Sequence, residues 1–172
     1  MKTTLTVAAL VLLPGIAAAE AHSTPAAVAE VQSRDGAAIG TVYVNPTASG
    51  FVTINIALTD LPEGALGVHI HETGDCSAED FSSAGGHLAE GREHGILTEG
   101  GPHPGDLPNV IVQQTGVVNV EYFSNLLEID EMMFDEDGSA FIVHSGPDDY
   151  TSQPSGAAGD RIACGVFTRG ES

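Results

Sequence analysis

Hydrophobic and polar positions alternate along most of this chain, in short stretches that are rich in β-branched residues. Alternation with a period of two predicts β-strands where turn-forming residues bound each stretch. Seven stretches meet both conditions: residues 39–44, 51–58, 66–71, 109–112, 117–122, 140–144 and 161–167. No stretch of ten residues shows a convincing helical period. The pattern therefore predicts an all-β domain, either an antiparallel sandwich or a barrel.

Two long segments lack the strand pattern, and we name them the first loop (residues 72–108) and the second loop (residues 145–160). Structureless loops of this length are uncommon in compact domains and are usually functional or disordered. The histidines of the first loop favour a functional loop over a disordered one. Residues 22–30 are expected to be a short mobile start. Residues 135–138 are expected to be a solvated turn, because the spaced ligands and closing glutamate of a calcium loop are missing.

The N-terminal residues have the pattern of a secretory signal peptide. A lysine near the start precedes an apolar run at residues 5–18 and a group of small residues, so cleavage is expected after Ala19 or Ala21. The run is short and interrupted for a membrane-spanning helix, which needs about 20 residues; an uncleaved anchor is the alternative. Residues 1–21 are thus a predicted signal peptide. Residues 22–172 are predicted to form one exported domain, with the periplasm as the favoured compartment and the cell surface or medium as alternatives.

The predicted mature chain is strongly acidic, with four arginines, no lysine and 23 acidic residues. This charge disfavours binding to nucleic acid and to anionic membranes. No segment after the signal peptide is apolar enough to span a membrane. Cys76 and Cys164 are the only cysteines, and an oxidising compartment makes a disulfide the expectation.

Six of the seven histidines are candidates for metal binding, whereas His22 lies in the predicted mobile start. His69 and His71 share one face of a predicted strand, about 7 Å apart along the chain, so they can chelate one ion. His144 ends another predicted strand and could complete the site. A lone histidine is more often a surface or hydrogen-bonded residue, but imidazole is the commonest metal ligand. An all-nitrogen site drawn from strands suits Cu(II).

A second candidate site lies in the first loop. Its residues are His87, His94, His103 and Asp106. Three imidazoles and one carboxylate make a closed tetrahedral site, which suits zinc. A loop with so few apolar residues also needs a tether, and a bound metal can provide one.

Six short motifs occur in order along the chain: GVHIHE at residues 67–72, GDC at 74–76, SAGGH at 83–87, HPGDLPN at 103–109, HSGPDDY at 144–150 and GDRIACGV at 159–166. With these motifs the chain resembles the copper,zinc superoxide dismutases, and among them the exported bacterial branch. The His-x-His pair alone is not specific, but the set is, and it covers most of the predicted mature chain. The resemblance implies a flattened antiparallel Greek-key β-barrel with two long functional loops.

The resemblance also implies an activity and two ligand sets. The activity is the conversion of superoxide to oxygen and hydrogen peroxide, with one copper ion and one zinc ion per subunit, in a monomer or a homodimer. The implied copper ligands are His69, His71, His87 and His144. The implied zinc ligands are His87, His94, His103 and Asp106. His87 would then bridge both ions as an imidazolate and supply a proton to the reduced product.

Residues outside the ligand sets receive roles from the same resemblance. Asp148 would hold one ligand histidine from each metal site, with a turn residue as its ordinary alternative. Arg161 would guide the superoxide anion through charge-assisted hydrogen bonds. Cys76 and Cys164 would form the family's disulfide, which pins the first loop to the last strand three residues after Arg161.

Three features depart from the family pattern. The interval from His87 to His94 is seven residues, one shorter than expected, and Leu88-Ala89 replaces the usual Asn-Pro, which predicts an adjusted or weaker zinc site. Asp160 stands before the anion-guiding arginine where a small residue is usual, and it either damps the attraction of an anion or points outward. No lysine remains on the loops to steer superoxide toward the site. The attraction of superoxide must then come from the metals, the arginine and local focusing of the electric field.

Two other functional classes are alternatives. One is a metal-binding or copper-handling protein on the same fold without turnover; such proteins usually lack a copper ligand or the arginine, and this chain has both. The other is a cupin-type metal enzyme, since cupins also carry His-x-His on a barrel. In this chain, however, Glu72 follows His71 directly instead of standing several residues on. A hydrolase is not supported, because paired-acid and His-Glu-x-x-His patterns are missing.

Overall fold

The computed structural model describes residues 26–170, so the predicted signal peptide and His22 lie outside the described residues. Two short helical turns, Ser82–Ala84 and Ile129–Met133, occur among the strands. Within the described range no helix has the length and apolar character that crossing a membrane requires. The strands are β1 (Ala27–Ser33), β2 (Ala38–Pro46), β3 (Val52–Leu58), β4 (Gly64–Leu66), β5 (Val68–His71), β6 (Val110–Val112), β7 (Val118–Ser124), β8 (Ala140–His144) and β9 (Arg161–Arg169).

One curled antiparallel sheet forms most of the molecule. Seven strands are hydrogen-bonded in the order β5-β8-β9-β1-β2-β3-β7, and β4 pairs with β6 in a small second sheet. β4 pairs with β6, and after β6 and β7 the chain returns as β8 to lie beside β5, which is the Greek-key return of a fourth strand to the side of the first. The prediction of an all-β fold with Greek-key order is confirmed.

Side-chain alternation places the hydrophobic core inside the curl of the sheet. On β3, the side chains of Val52, Ile54, Ile56 and Leu58 are buried, and the residues between them are more exposed. Phe141 on β8 is also fully buried. Burial of each such side chain stabilises the fold by about 1.5–3 kcal/mol, which is why the period-two pattern was informative.

The prediction of a mobile start is wrong from Ala27 onward, because this segment forms β1. Ala27, Ala29 and Val31 are fully buried. The strand pairs with β2 on one side and with β9 on the other. Alanine and glutamate have low intrinsic strand propensity, so tertiary pairing decided the structure of this segment.

The predicted strand at residues 66–71 is in fact two strands. Gly67 separates β4 from β5, and its N–H donates to the carbonyl of Gly146 at 2.8 Å. Its own carbonyl accepts the N–H of His144 at 2.8 Å. The chain therefore changes hydrogen-bonding partners just before the His-x-His pair.

The acidic run at residues 128–137 contains a helical turn ahead of the segment at residues 135–138 that was predicted to be a solvated turn. Its first half forms the helical turn, which buries Ile129 and Met133 against the core. Its second half is a turn, in which the Asp135 carboxylate accepts the N–H of Gly138 at 2.8 Å. Two apolar side chains within an acidic stretch were the available signal for the helical half.

The first loop lies along the edge of β5. The N–H of Ile70 donates to the Gly105 carbonyl at 2.9 Å, and the N–H of Leu88 donates to the Ile70 carbonyl at 2.9 Å. Gly105 must be glycine, because a Cβ there would overlap the Ile70 carbonyl oxygen. This pairing holds His87, the neighbour of Leu88, beside the strand that carries the His-x-His pair.

Cys76 and Cys164 form a disulfide, which confirms the expected pairing. Their Cα atoms are 5.9 Å apart and they are separated by 88 residues in sequence. The bond joins the first loop to β9, so it closes a long segment of chain that would otherwise add entropy to the unfolded state.

Candidate metal centre

One group of histidines, which we name the strand cluster, lies where β5 and β8 meet the first loop. His69 and His71 project from one face of β5, as the period of two predicted, and His144 ends β8. His87 reaches the group from the first loop. One ring nitrogen of each of these four residues lies within 4.8 Å of those of the other three, and all four residues are buried.

Each histidine of the strand cluster has one ring nitrogen that is buried and has no hydrogen-bond partner in the protein. Burying an unpartnered polar atom is unfavourable, and four such atoms facing one another require a common partner. A cation bound by four imidazole nitrogens satisfies all of them, so the residues fit a copper ion. The atoms are His69 Nδ1, His71 Nε2, His87 Nε2 and His144 Nε2.

For His69, His71 and His144, a hydrogen bond on the opposite side of the ring fixes which nitrogen is free. His69 Nε2 donates to Asp148 at 2.7 Å, and His71 Nδ1 donates to the Gly85 carbonyl at 3.1 Å. His144 Nδ1 donates to a further backbone carbonyl at 3.3 Å. A neutral imidazole that donates from one nitrogen presents a lone pair at the other, so the lone pairs face the centre of the cluster.

Burial keeps three histidines of the strand cluster neutral. Desolvation lowers the pKa of His69 to about 4, of His71 to about 2 and of His144 to about 3. The neighbouring charge of Arg161 lowers the pKa of His71 and of His144 further. At neutral pH these imidazoles are therefore unprotonated and able to ligate a metal.

A second group, which we name the loop cluster, lies entirely within the first loop. Its members converge on a single carboxylate oxygen, Asp106 Oδ1. The Nδ1 atoms of His87, His94 and His103 lie 2.9, 2.9 and 3.1 Å from that oxygen. His87 thus belongs to both clusters, with Nδ1 in the loop cluster and Nε2 in the strand cluster.

The donor inventory of the loop cluster fits a cation such as zinc. His94 Nε2 lies 3.0 Å from Asp148, and His103 Nε2 lies 3.1 Å from the Arg92 carbonyl. A neutral imidazole has only one N–H. If Nε2 donates to these acceptors, each Nδ1 turns a lone pair toward the Asp106 carboxylate, and only a cation between them makes that arrangement favourable.

Asp106 is held in its charged form. Burial raises its pKa, but hydrogen bonds from the His87 ring and from the backbone N–H groups of Gly95 and His103 outweigh burial and hold the pKa well below the ordinary value. The two backbone bonds, 2.8 and 3.0 Å long, engage the other carboxylate oxygen. Asp106 therefore faces the three imidazoles as an anion.

Asp148 connects the two clusters. One of its oxygens accepts from His69 at 2.7 Å and the other lies 3.0 Å from His94, and the carboxylate is completely buried. The structure thus shows the contact to one histidine of each cluster that the resemblance implied.

Arg161 lies beside the strand cluster, where two backbone carbonyls of the first loop orient it. Its guanidinium donates to Phe81 and to Gly85, each at 2.6 Å. Gly85 also accepts from His71, so one carbonyl fixes both side chains. The sequence did not single out Gly85 for this role, because a backbone carbonyl leaves no residue-type signal.

Asp160 is exposed, although it is next to Arg161 in sequence. Its backbone pairs with Ser145: the Ser145 N–H donates to the Asp160 carbonyl at 2.8 Å, and the Asp160 N–H donates to the Ser145 hydroxyl at 3.0 Å. Among residues 26–170 no ion pair joins Asp160 to Arg161.

Comparison with known proteins gives a consistent result. The family model for copper/zinc superoxide dismutase (SODC) matches residues 38–167. "Superoxide dismutase [Cu-Zn] 2" of Aquifex aeolicus is 42% identical over 145 residues, which cover 81% of this chain and 84% of that protein. A superoxide dismutase [Cu-Zn] of Caulobacter vibrioides is 39% identical, over 82% of this chain and 84% of that protein. The crystal structure of a SOD-like protein from Bacillus subtilis superposes with a TM-score of 0.77 at 37% identity, over 81% of this chain and 96% of that chain.

Proposed function

This chain belongs to the copper/zinc superoxide dismutase family, and on that premise we propose that it converts superoxide to oxygen and hydrogen peroxide. The observation that carries the proposal is the strand cluster, in which four buried imidazole nitrogens face one another without partners in the protein. A copper site requires this arrangement, and an ordinary buried histidine does not.

We assign the two clusters to two metals. The strand cluster binds copper through His69, His71, His87 and His144. The loop cluster binds zinc through His87, His94, His103 and Asp106. The four lone pairs facing one another support the first assignment, and the three imidazoles around one anionic oxygen support the second.

Each functional residue has a separate task in this reaction. Bound copper supplies the one-electron oxidation and reduction that turn two superoxide ions into oxygen and peroxide. Arg161 binds the incoming anion, because its guanidinium is charged and is aimed by the Phe81 and Gly85 carbonyls. His87 Nε2 faces the strand cluster with no acceptor or donor in the protein, so when this nitrogen is not bound to metal it could hold a proton and pass it to the reduced product. Asp148 keeps His69 in the orientation that the cluster needs.

We also propose that the protein is exported, with residues 1–21 removed and the periplasm as its compartment. The disulfide supports this proposal, because such bonds persist in oxidising compartments and are rare in the cytosol. The charged start, apolar run and small residues of the N-terminal segment support it independently.

One similarity favours a second candidate, a metal-binding relative without turnover. The Bacillus subtilis relative, 39% identical over 80% of this chain, is named only a superoxide dismutase-like protein. All four histidines of the strand cluster and Arg161 are present here and close together, which favours the enzyme.

The test is the superoxide-dependent activity of the purified mature protein, measured together with its copper and zinc content. We expect about one copper and one zinc per chain. Activity should disappear when copper is removed and return when copper is restored. A protein that carries both metals and shows no turnover would overturn the proposed activity in favour of the metal-binding relative.

A further inference from the structure

The two long loops pack against each other backbone to backbone at His94. Gly95 has a positive φ of 94°, and a Cβ there would overlap the Tyr150 carbonyl oxygen. Gly156, at φ 67°, faces the same junction, where a Cβ would overlap an Asp148 oxygen and crowd His94 Nε2. The junction therefore has no room for a side chain at either glycine.

Gln153 holds the backbone of His94 from the second loop. Its Oε1 accepts the N–H of His94 at 3.0 Å, and its Nε2 donates to the carbonyl of His94 at 2.9 Å. The same Nε2 also donates to the Thr151 carbonyl at 3.1 Å. One carboxamide thus satisfies both backbone groups of His94, which lies in no strand and has no ladder partner.

Asn109 makes the same two-point contact in the opposite direction. It follows the first loop directly, and its side chain holds the backbone of Asp148 in the second loop. Its Oδ1 accepts the N–H of Asp148 at 2.8 Å, and its Nδ2 donates to the carbonyl of Asp148 at 2.8 Å. The two clamped residues, His94 and Asp148, are themselves in contact at 3.0 Å.

We propose that Gln153 and Asn109 are paired positioning residues that fix the contact between His94 and Asp148 and thereby hold His94 Nδ1 in the loop cluster. The inference rests on the proposed role of His94 as a zinc ligand. A carboxamide carries a donor and an acceptor at fixed spacing, so two bonds to one backbone unit hold both its position and its rotation. A hydroxyl has its donor and its acceptor on a single atom, so it fixes the rotation of a backbone unit less well.

The test compares zinc release from copper- and zinc-loaded protein into a chelator. Gln153→Ala should release zinc about 10-fold faster, the lower end of the effect of losing an outer-shell partner. Gln153→Glu keeps an acceptor for the His94 N–H but repels the carbonyl, so it should fall between wild type and Gln153→Ala. Thr151→Ala is the matched control: its hydroxyl contacts only Asp149 in the same loop, and its release rate should equal that of wild type.

Two further measurements separate positioning from general loosening of the loop. The visible spectrum of Co(II) placed in the zinc site should change in Gln153→Ala and not in Thr151→Ala, because the spectrum reports ligand geometry. The double variant Gln153→Ala, Asn109→Ala should release zinc more slowly than the product of the two single effects predicts, because both clamps act on one contact.

The outcomes distinguish the clamp from the function on which it rests. If wild-type protein binds zinc and Gln153→Ala releases it at the wild-type rate with an unchanged cobalt spectrum, the clamp is wrong and the proposed function stands. If Thr151→Ala accelerates release as much as Gln153→Ala, the effect belongs to the loop and the clamp is again wrong. If wild-type protein takes up neither zinc nor cobalt at the loop cluster, both proposals are overturned.

Discussion

The strand cluster and the loop cluster bring histidines together by different physical means. Three of the four histidines in the strand cluster lie on β5 and β8, and backbone ladders set their spacing. In the loop cluster no ligand residue lies in a strand, and only His87 and Asp106 form single backbone bridges to β5. Its geometry depends on side-chain contacts to Asp106, on the Gln153 clamp and on close glycine contacts.

This difference indicates how each site depends on its metal. Backbone hydrogen bonds between β5 and β8 involve no metal ligand atom, so the strand cluster is largely formed by the fold. The loop cluster turns three imidazoles toward one carboxylate oxygen, so we expect a bound cation to be part of what holds the first loop closed. Only His87 belongs to both clusters, and the Asp148 carboxylate also joins them through His69 and His94.

The largest expected effect comes from removing one ligand of each cluster in turn. His144→Ala should reduce activity to background while zinc stays bound, because the strand cluster loses one of its four nitrogens and the loop cluster is untouched. His103→Ala should lose zinc and keep copper, because only the loop cluster changes. Metal content and superoxide removal, measured on both variants, test this separation.

Equal loss of both metals in both variants would contradict the separate origin of the two clusters, since it would mean that the clusters form only together. Asn119→Ala is a suitable control. Asn119 lies on β7, at the other end of the sheet order from β5, and its side chain is exposed. Its metal content and activity should match those of wild type.

The next effect concerns the disulfide, which ties the first loop to β9 next to the strand cluster. Replacing both Cys76 and Cys164 with serine should lower the free energy of unfolding by about 4 to 5 kcal/mol, because the closed segment spans 88 residues. Urea unfolding of metal-loaded protein gives the value. A loss below about 1 kcal/mol would show that the metals and the hydrogen bonds between the first loop and β5 already hold the first loop in place.

The smallest expected effects come from changing Arg161 and Asp160, two residues of opposite charge that are adjacent in sequence. Arg161→Ala should lower kcat/KM about 10-fold, because a charge that attracts the anion is lost. Asp160→Ser should change kcat/KM by less than about twofold, because an exposed carboxylate is screened by salt. The rate of superoxide removal at several ionic strengths measures both. If Asp160→Ser instead raised kcat/KM by about as much as Arg161→Ala lowers it, Asp160 would be shown to damp the attraction of the anion.

Prediction from sequence succeeded where residue type and spacing carry the information. Alternation located β2, β3 and β6 to β9, and the period of two placed His69 and His71 on one face. It failed for β1, because alanine and polar residues resemble a mobile start until β2 and β9 pair with them. It also joined β4 and β5 into one predicted strand, although the backbone of Gly67 bonds to the second loop between them.

The sequence by itself determined which side chains can ligate metals, which two cysteines can pair and which face of each strand is apolar, because these properties belong to residue types and to a local period. Only the tertiary structure decided which ring nitrogen of each histidine is free. That choice depends on acceptors far away in sequence: Asp148 for His69 and the Gly85 carbonyl for His71. It also decided that Gln153 holds His94 across 59 residues, since a hydrogen bond depends on position in space and leaves no pattern along the chain.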